Sequence, residues 1–162
     1  MQAEVLVGRD EELTRSDATL RRCLGAVLVG PAGVGKSALA DALGRTARTR
    51  GELVVRVRAT VGSSELPLAA FSGWLQTSEQ FLTPMMTEIM TAIRTAAGGG
   101  AVLLVIDDID LLDDASSVLV HQLLLSGSTT LLATMRRGRL LPGDVADLRA
   151  RGDIDVIEIE PL

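Results

Sequence analysis

The 162-residue sequence lacks tyrosine and asparagine and has a single cysteine and a single histidine. Cys23 has no second cysteine to pair with, which excludes an internal disulfide and favours a reducing, cytoplasmic setting. His121 has no cysteine or second histidine beside it, which argues against a zinc site. The longest apolar run covers only residues 101–106, so no membrane-spanning helix is predicted. No basic segment followed by an apolar stretch opens the chain, so no secretory signal is predicted.

Positive charge is also scarce. The chain has 16 basic and 21 acidic residues, and its net charge of -5 disfavours non-specific binding to nucleic acid or to a membrane surface. We therefore expect neither direct nucleic-acid contact nor membrane association. All but one of the basic residues are arginines, and the exception is Lys36. A lone lysine indicates a position where a compact ammonium is needed in place of a guanidinium.

Short apolar runs alternate with segments of helical periodicity along most of the chain, which predicts an α/β fold built on a parallel sheet with helices on both faces. The predicted strands cover residues 26–29, 53–59, 101–106, 130–135 and 154–159. The predicted helices cover residues 10–24 and 37–50, a segment opened by Pro67 that includes Trp74, a segment from Phe81 to Ile93, and residues 115–125. The Arg, Gly and Pro residues after position 135 predict a polar loop. Strand 53–59 alternates, with Arg56 and Arg58 on its polar side, which is typical of an edge strand.

One segment fits the phosphate-binding loop pattern. Residues 30–37 read Gly-Pro-Ala-Gly-Val-Gly-Lys-Ser, directly after an apolar strand and at the start of a helix, which is the context that the pattern requires. Its backbone amides, roughly from Gly33 to Ser37, are expected to surround phosphate oxygens, helped by the positive end of the helix. We expect Lys36 to reach the β- and γ-phosphates and the Ser37 hydroxyl to bind Mg²⁺.

Two aspartates, Asp107 and Asp108, end the central apolar strand. Ligands of open α/β sheets bind at the carboxyl ends of the strands, so this pair is expected to face the phosphate-binding loop. Asp107 can then hold a hydrated Mg²⁺, and Asp108 can orient or polarise an attacking water.

Four stretches together resemble a known family. These are residues 7–13 (Val-Gly-Arg-Asp-Glu-Glu-Leu), the loop at 30–37, residues 104–108 with 113–116 after them, and residues 131–136, which end in arginine. In this order they resemble the STAND class of P-loop ATPases, and within it the ATP-binding module of large LuxR-type transcriptional regulators. The resemblance implies a three-layer P-loop NTPase fold with a five-stranded parallel sheet in the order 5-1-4-3-2. It also implies that Arg136 senses the γ-phosphate and that Gly8 and Arg9 lie beside the adenine.

These inferences assign a site for ATP or ADP with Mg²⁺. The expected catalytic residues are Lys36, Asp108 and Arg136. The expected metal ligands are Ser37 and Asp107. The expected nucleotide-binding residues are Gly8, Arg9, Pro31, Ala32, Gly33, Val34, Gly35, Lys36, Ser37 and Ala38.

The resemblance further implies that residues 1–162 form one nucleotide-binding domain of a longer regulator. Its partners would be the nucleotide and the regulator's helical lid, winged helix and effector region, and self-association of the parent protein stays open. We expect a slowly hydrolysing, nucleotide-dependent switch. The sequence leaves three alternatives: a P-loop kinase for a small molecule or nucleotide, a ring-forming AAA+ motor, and a nucleotide-binding scaffold without turnover.

Overall fold

The computed structural model of the protein describes residues 8–76 and 81–162. Helices and strands alternate along these ranges. The helices are α1 (Asp10–Arg22), α2 (Lys36–Thr49), α3 (Leu82–Ala97), α4 (Asp114–Leu125) and α5 (Gly143–Ala150). The strands are β1 (Gly25–Gly30), β2 (Leu53–Arg58), β3 (Val102–Asp107), β4 (Thr129–Arg136) and β5 (Ile154–Glu158).

The strands that the structure describes form one parallel sheet in the order β2-β3-β4-β1-β5. This is the predicted order 5-1-4-3-2 read from the opposite edge, so the predicted fold class is confirmed. Every residue of β1 and β3 is buried, as expected of strands covered on both faces. Strand β2 lies at one edge and alternates between buried and exposed residues in its second half, as its sequence predicts.

Each face of the sheet carries its own apolar core. On one face α2 packs through Leu39, Ala40 and Leu43, with partly buried residues of α1 at its margin. On the other face α3, α4 and α5 contribute side chains such as Ile89, Leu119 and Leu148. The result is a three-layer arrangement in which the carboxyl ends of all the parallel strands lie along one edge.

Two predicted segments differ from the structure. The segment opened by Pro67 forms a short 3₁₀ turn, Ala69–Trp74, which follows an earlier one at Ser63–Glu65. A regular helix does not form there because Leu68 has a left-handed backbone with φ +61°. The side chain of Leu68 is fully buried, and its amide donates to Asp113 Oδ1 at 3.2 Å, so packing stabilises that conformation against a regular helix.

The predicted polar loop after position 135 contains helix α5. Its periodicity is weak over eight residues, and only Val145 and Leu148 are buried, three positions apart on one face. Such a short helix depends on packing against the core more than on its own sequence. The sequence pattern therefore did not predict it.

Candidate nucleotide-binding site

The phosphate-binding loop joins β1 to α2, and its backbone depends on glycine at two points. Gly33 has φ +75° and Gly35 has φ +97°, a left-handed region that disfavours other residues, although a Cβ atom at either position would meet no atom within 4 Å. Gly30 is required for a different reason. A Cβ atom there would lie 2.5 Å from the carbonyl oxygen of Ile159, so there is no room for a side chain. Conformation and close packing therefore both require the glycines of this loop.

Lys36 begins α2 and has only 8% of its surface exposed. Its Nζ atom donates to the carbonyl oxygen of Gly30 at 3.0 Å and to that of Pro31 at 2.7 Å. Burial lowers the pKa of Lys36, and the charge of Asp108 opposes this shift while that of Arg136 adds to it. The ammonium is thus held by loop carbonyls beneath the position that phosphate oxygens would occupy.

Asp107 lies at the end of β3, and both of its carboxylate oxygens are engaged. Oδ1 accepts from the Ser37 hydroxyl at 3.4 Å and from the Thr134 hydroxyl at 3.3 Å. Oδ2 accepts from Arg56 Nη2 at 2.8 Å and from Arg56 Nε at 3.1 Å, and the same guanidinium also contacts Asp41 of α2. The structure therefore brings the two predicted metal ligands together, with an arginine fixing one of them.

The donor set around Ser37 and Asp107 suits a hard cation. Magnesium prefers oxygen ligands and usually takes one or two protein oxygens, with water and substrate phosphates completing its shell. The hydroxyl of Ser37 and Oδ1 of Asp107 are such oxygens, and they face each other beside the loop. Arg56 occupies Oδ2, so only Oδ1 of Asp107 can contact the cation. An ion with so few protein ligands keeps several of its waters, which fits a role for Asp107 in holding a hydrated Mg²⁺. No group of three or more His, Cys, Asp or Glu residues forms a further metal cluster in residues 8–76 and 81–162.

Asp108 follows β3 in a left-handed conformation with φ +55°, which is uncommon for a residue with a side chain. Its amide donates to the Thr134 hydroxyl at 3.1 Å, so the residue that supports Asp107 also fixes the backbone of Asp108. Strained backbone of this kind often occurs where a side chain must be aimed into a site. Asp108 lies beside the loop, close enough for its charge to act on Lys36.

A cavity of about 340 Å³ lies where the loop meets the carboxyl ends of the strands. The predicted site residues that line it are Ala32, Gly33, Gly35, Lys36, Ser37, Ala38, Asp108 and Arg136. Two further lining residues, Arg58 and Thr134, were not predicted as site residues. The exposed Arg136, at the end of β4, faces the same space as the buried Lys36. One cavity thus gathers all three predicted catalytic residues.

A second cavity, of about 320 Å³, adjoins the first because Ala32 and Gly33 line both. Its other lining residues are Arg9, Pro31, Val34, Pro161 and Leu162. Gly8 has φ +80°, and a Cβ atom there would lie 3.5 Å from a methyl group of Leu162, so it borders the same region. Apolar and proline side chains on one wall can accept a flat aromatic base. Val7, the first residue of the predicted N-terminal motif, lies outside the described residues.

Arg9 connects the N-terminal helix to the loop. The guanidinium is almost fully buried, donating to Glu12 Oε1 at 2.6 Å and to the carbonyl oxygen of Val34 at 3.0 Å. The hydrogen bond from Arg9 lowers the pKa of Glu12. Arg9 therefore holds the phosphate-binding loop against α1. It also lines the second cavity.

A larger groove of about 670 Å³ lies between the Ala69–Trp74 turn and α3. Its lining includes Trp74 and Glu88, and none of its described lining residues is basic. A polyphosphate needs positive charge and amide donors, and the loop cavity supplies both while this groove does not. Size alone thus does not identify the site.

Comparison with known proteins agrees with this geometry. A family model described as an AAA ATPase domain matches residues 5–90, more than half of the chain. The chain belongs to the AAA ATPase domain family. This family binds nucleotide, so the AAA ATPase domain described above is a nucleotide-binding domain. No curated protein matches the sequence significantly.

Solved structures share the fold of this AAA ATPase domain at low sequence identity. A DNA replication initiation factor matches with a TM-score of 0.62 and 19% identity over 97% of this chain and 48% of its own. AMPPCP-bound DnaA from Aquifex aeolicus gives 0.58 and 21%, over 94% and 46%. The E. coli MS115-1 HORMA:CdnC:Trip13 complex gives 0.59 and 18%, over 96% and 63%. The chain therefore spans less than two thirds of each of these relatives.

None of the helices in residues 8–76 and 81–162 is long and apolar enough to cross a bilayer.

Proposed function

We propose that this AAA ATPase domain binds ATP with Mg²⁺, hydrolyses it slowly, and acts as the nucleotide-dependent switch of a signal-responsive transcriptional regulator. The observation that carries the nucleotide part of the proposal is the shared cavity of Lys36, Ser37, Asp108 and Arg136 at the end of the phosphate-binding loop.

Each residue has a task that its surroundings support. The loop amides and the Lys36 ammonium bind the β- and γ-phosphates, and the two carbonyls that Lys36 now contacts give way to phosphate oxygens. Ser37 and Asp107 hold the hydrated Mg²⁺, which neutralises phosphate charge when bound. Asp108 orients the attacking water, and Arg136 contacts the γ-phosphate.

The adjoining cavity is the proposed base site. Gly8, Arg9, Pro31 and Val34 border it on the side of the loop, and Arg9 keeps its contacts to Glu12 and Val34 while its aliphatic stem faces the base. Because Ala32 and Gly33 line both cavities, a nucleotide can lie across them with its base in one and its phosphates in the other.

Slow turnover follows from the openness of the phosphate cavity. Arg136 and Arg58 are exposed, so water reaches the phosphates on this side and weakens the contacts of both arginines, which should strengthen in the transition state. A covering lid would exclude that water. The resemblance to LuxR-type STAND regulators supports assigning such a lid, a winged helix and an effector region to a longer parent chain.

The fold likeness to the Trip13 complex favours one second candidate, a subunit of an AAA+ motor. A motor subunit assembles into a ring and hydrolyses ATP repeatedly, whereas a switch changes state once per nucleotide. Assembly and turnover rate therefore separate the two functions.

The test combines steady-state phosphate release by the purified chain, with and without candidate acceptors, with sedimentation in ATP and a gel-shift titration at physiological salt. The proposal predicts turnover well below 1 per second, no phosphorylated acceptor, no ring and no DNA shift. Rapid turnover with a ring would support the motor, and a phosphorylated acceptor would support a kinase. Either result would contradict the switch.

A further inference from the structure

The edge strand β2 directs its polar face toward the nucleotide site. Val55 and Val57 point to the core that includes α3, and Arg56 and Arg58 lie on the opposite face, where Arg56 contacts Asp41 of α2. The sequence alone assigns both arginines to the polar side of an edge strand. In the structure, that side borders the phosphate cavity.

Arg58 is the last residue of β2 and pairs in register with Asp107 of β3. The hydrogen bond from the Ala59 amide to the Asp107 carbonyl, at 3.1 Å, fixes the backbone at this end of the strand. Arg56 is already ion-paired with both Asp107 and Asp41. Arg58 has no carboxylate within ion-pairing distance among the described residues, and it lines the phosphate cavity.

The charges that face the cavity are therefore unbalanced. Lys36, Arg58 and Arg136 contribute three positive charges, and Asp108 contributes one negative charge. Asp107 and Asp41 share the single positive charge of Arg56, so this cluster adds one net negative charge beside the cavity and the balance stays positive. Like charges repel one another unless an anion separates them, so this arrangement is more favourable when a polyphosphate occupies the cavity.

The order of the strands places Arg58 along the nucleotide. The base cavity is lined by Pro161 and Leu162, which follow β5 at one edge of the sheet. From there the carboxyl ends run β1, β4, β3 and finally β2, each step being about 4.8 Å. Arg58 therefore lies at the end of the site that is most distant from the base, where the terminal phosphate of ATP would extend.

We propose that Arg58 is a phosphate-binding residue that contacts the γ-phosphate and makes the site prefer ATP to ADP. This inference rests on the proposed nucleotide-binding function and deepens it. Arg58 and Arg136 then hold the terminal phosphate from two sides, since β2 and β4 flank the strand that ends in Asp107 and Asp108. Such a pair would let the domain sense whether that phosphate is present.

The experiment measures calorimetric affinities for ADP and for AMPPCP, a non-hydrolysable triphosphate analogue, with Mg²⁺ present. The variants are Arg58→Ala and Arg58→Lys, and the matched control is Arg94→Ala, an exposed arginine of α3 on the opposite face of the sheet. Thermal unfolding of each variant checks that it folds. Arg58 is exposed, so its truncation leaves no cavity in the core.

We expect Arg58→Ala to weaken AMPPCP binding about tenfold, the lower end for a charged hydrogen bond at an exposed position, and ADP binding by less than about twofold. Arg58→Lys should recover part of the loss, and Arg94→Ala should bind both nucleotides as the wild type does. If Arg58→Ala binds AMPPCP as tightly as the wild type does, or loses the same affinity for both nucleotides, Arg58 does not recognise the γ-phosphate. Either result would leave the proposed nucleotide-binding function intact. A wild-type chain that binds neither nucleotide would instead overturn the proposed function.

Discussion

Replacing Lys36 by methionine tests the phosphate-binding role of its ammonium. Methionine keeps most of the side chain's length and apolar stem and removes only the charge. In the free protein that charge contacts two loop carbonyls, at 2.7 and 3.0 Å. Losing these hydrogen bonds from a charged donor costs about 1.5–3 kcal/mol each, whereas removing a buried charge relieves a desolvation cost of several kcal/mol. The two effects oppose each other, so we expect the variant to fold with a stability close to that of the wild type.

The effect on binding should be much larger. A hydrogen bond between charged groups contributes about 1.5–3 kcal/mol, which corresponds to roughly 10- to 150-fold in affinity. With 8% of its surface exposed, Lys36 is little screened by water, but it must release or share its carbonyl partners when phosphate binds. We therefore expect Lys36→Met to weaken ATP binding at least tenfold, measured by calorimetry beside the Arg94→Ala control.

The pH dependence gives a second readout for the same residue. Burial lowers the pKa of Lys36 in the free protein, and a bound phosphate favours the charged ammonium. The wild type should therefore lose affinity for ATP as the pH rises through that lowered pKa, while Lys36→Met should lack this loss. Unchanged affinity in a folded Lys36→Met variant would refute the role of Lys36 in phosphate binding.

Further substitutions test the carboxylates and one ion pair. Asp107→Asn should blunt the Mg²⁺ dependence of ATP binding, and an unchanged Mg²⁺ titration would contradict its role. Asp108→Asn should still bind ATP and should lower the rate of phosphate release by roughly 100-fold if water activation limits the rate. Turnover at the wild-type rate would show that another residue activates the water. Arg50 forms a bidentate ion pair with Asp17 and lowers its pKa. Arg50→Ala should therefore cost about 0.5–1 kcal/mol in urea unfolding at pH 7. Because the folded-state pKa of Asp17 is depressed, that difference should begin to shrink as the pH falls below about 4 and vanish once the pH is below the lowered pKa. A difference that stays constant over this range would exclude the ion pair as its source.

Much of the fold could be predicted because its signals are local. The unbroken apolar run of β3 indicates burial on both faces, and the alternation of β2 indicates an edge, and the structure has both features. The strand order came from the family resemblance, since periodicity does not determine which strands are neighbours. Helix α5 and the turn at Leu68 were missed because tertiary packing determines them, through two buried residues in one and a buried left-handed leucine in the other.

The residues of the candidate site also form two groups, those that the sequence predicted and those that only the structure revealed. Lys36, Ser37 and the two aspartates belong to contiguous motifs, so their spacing was sufficient to find them. Thr134 lies within the 131–136 motif but was not singled out as a site residue, and Arg58 belongs to no motif. Both reach the cavity because β4 and β2 flank β3 in the sheet.

Two other contacts show why the base site was only partly predicted. Pro161 and Leu162 reach the loop because β5 pairs with β1, and Arg9 reaches Val34 because α1 packs beside α2. Each contact joins residues that are distant in sequence. The one available signal was the sheet order itself, which places the end of β5 next to the loop after β1.

Hydrogen exchange of the loop amides tests the central claim, nucleotide binding at residues 30–37, most directly. The protein is compared with and without saturating ATP and Mg²⁺, and exchange is followed for Gly33 to Ser37 and, as an internal reference, for α3. If phosphate oxygens accept from these amides, their exchange should slow markedly while that of α3 changes little. Exchange at the loop that stays the same in saturating ATP would contradict the account.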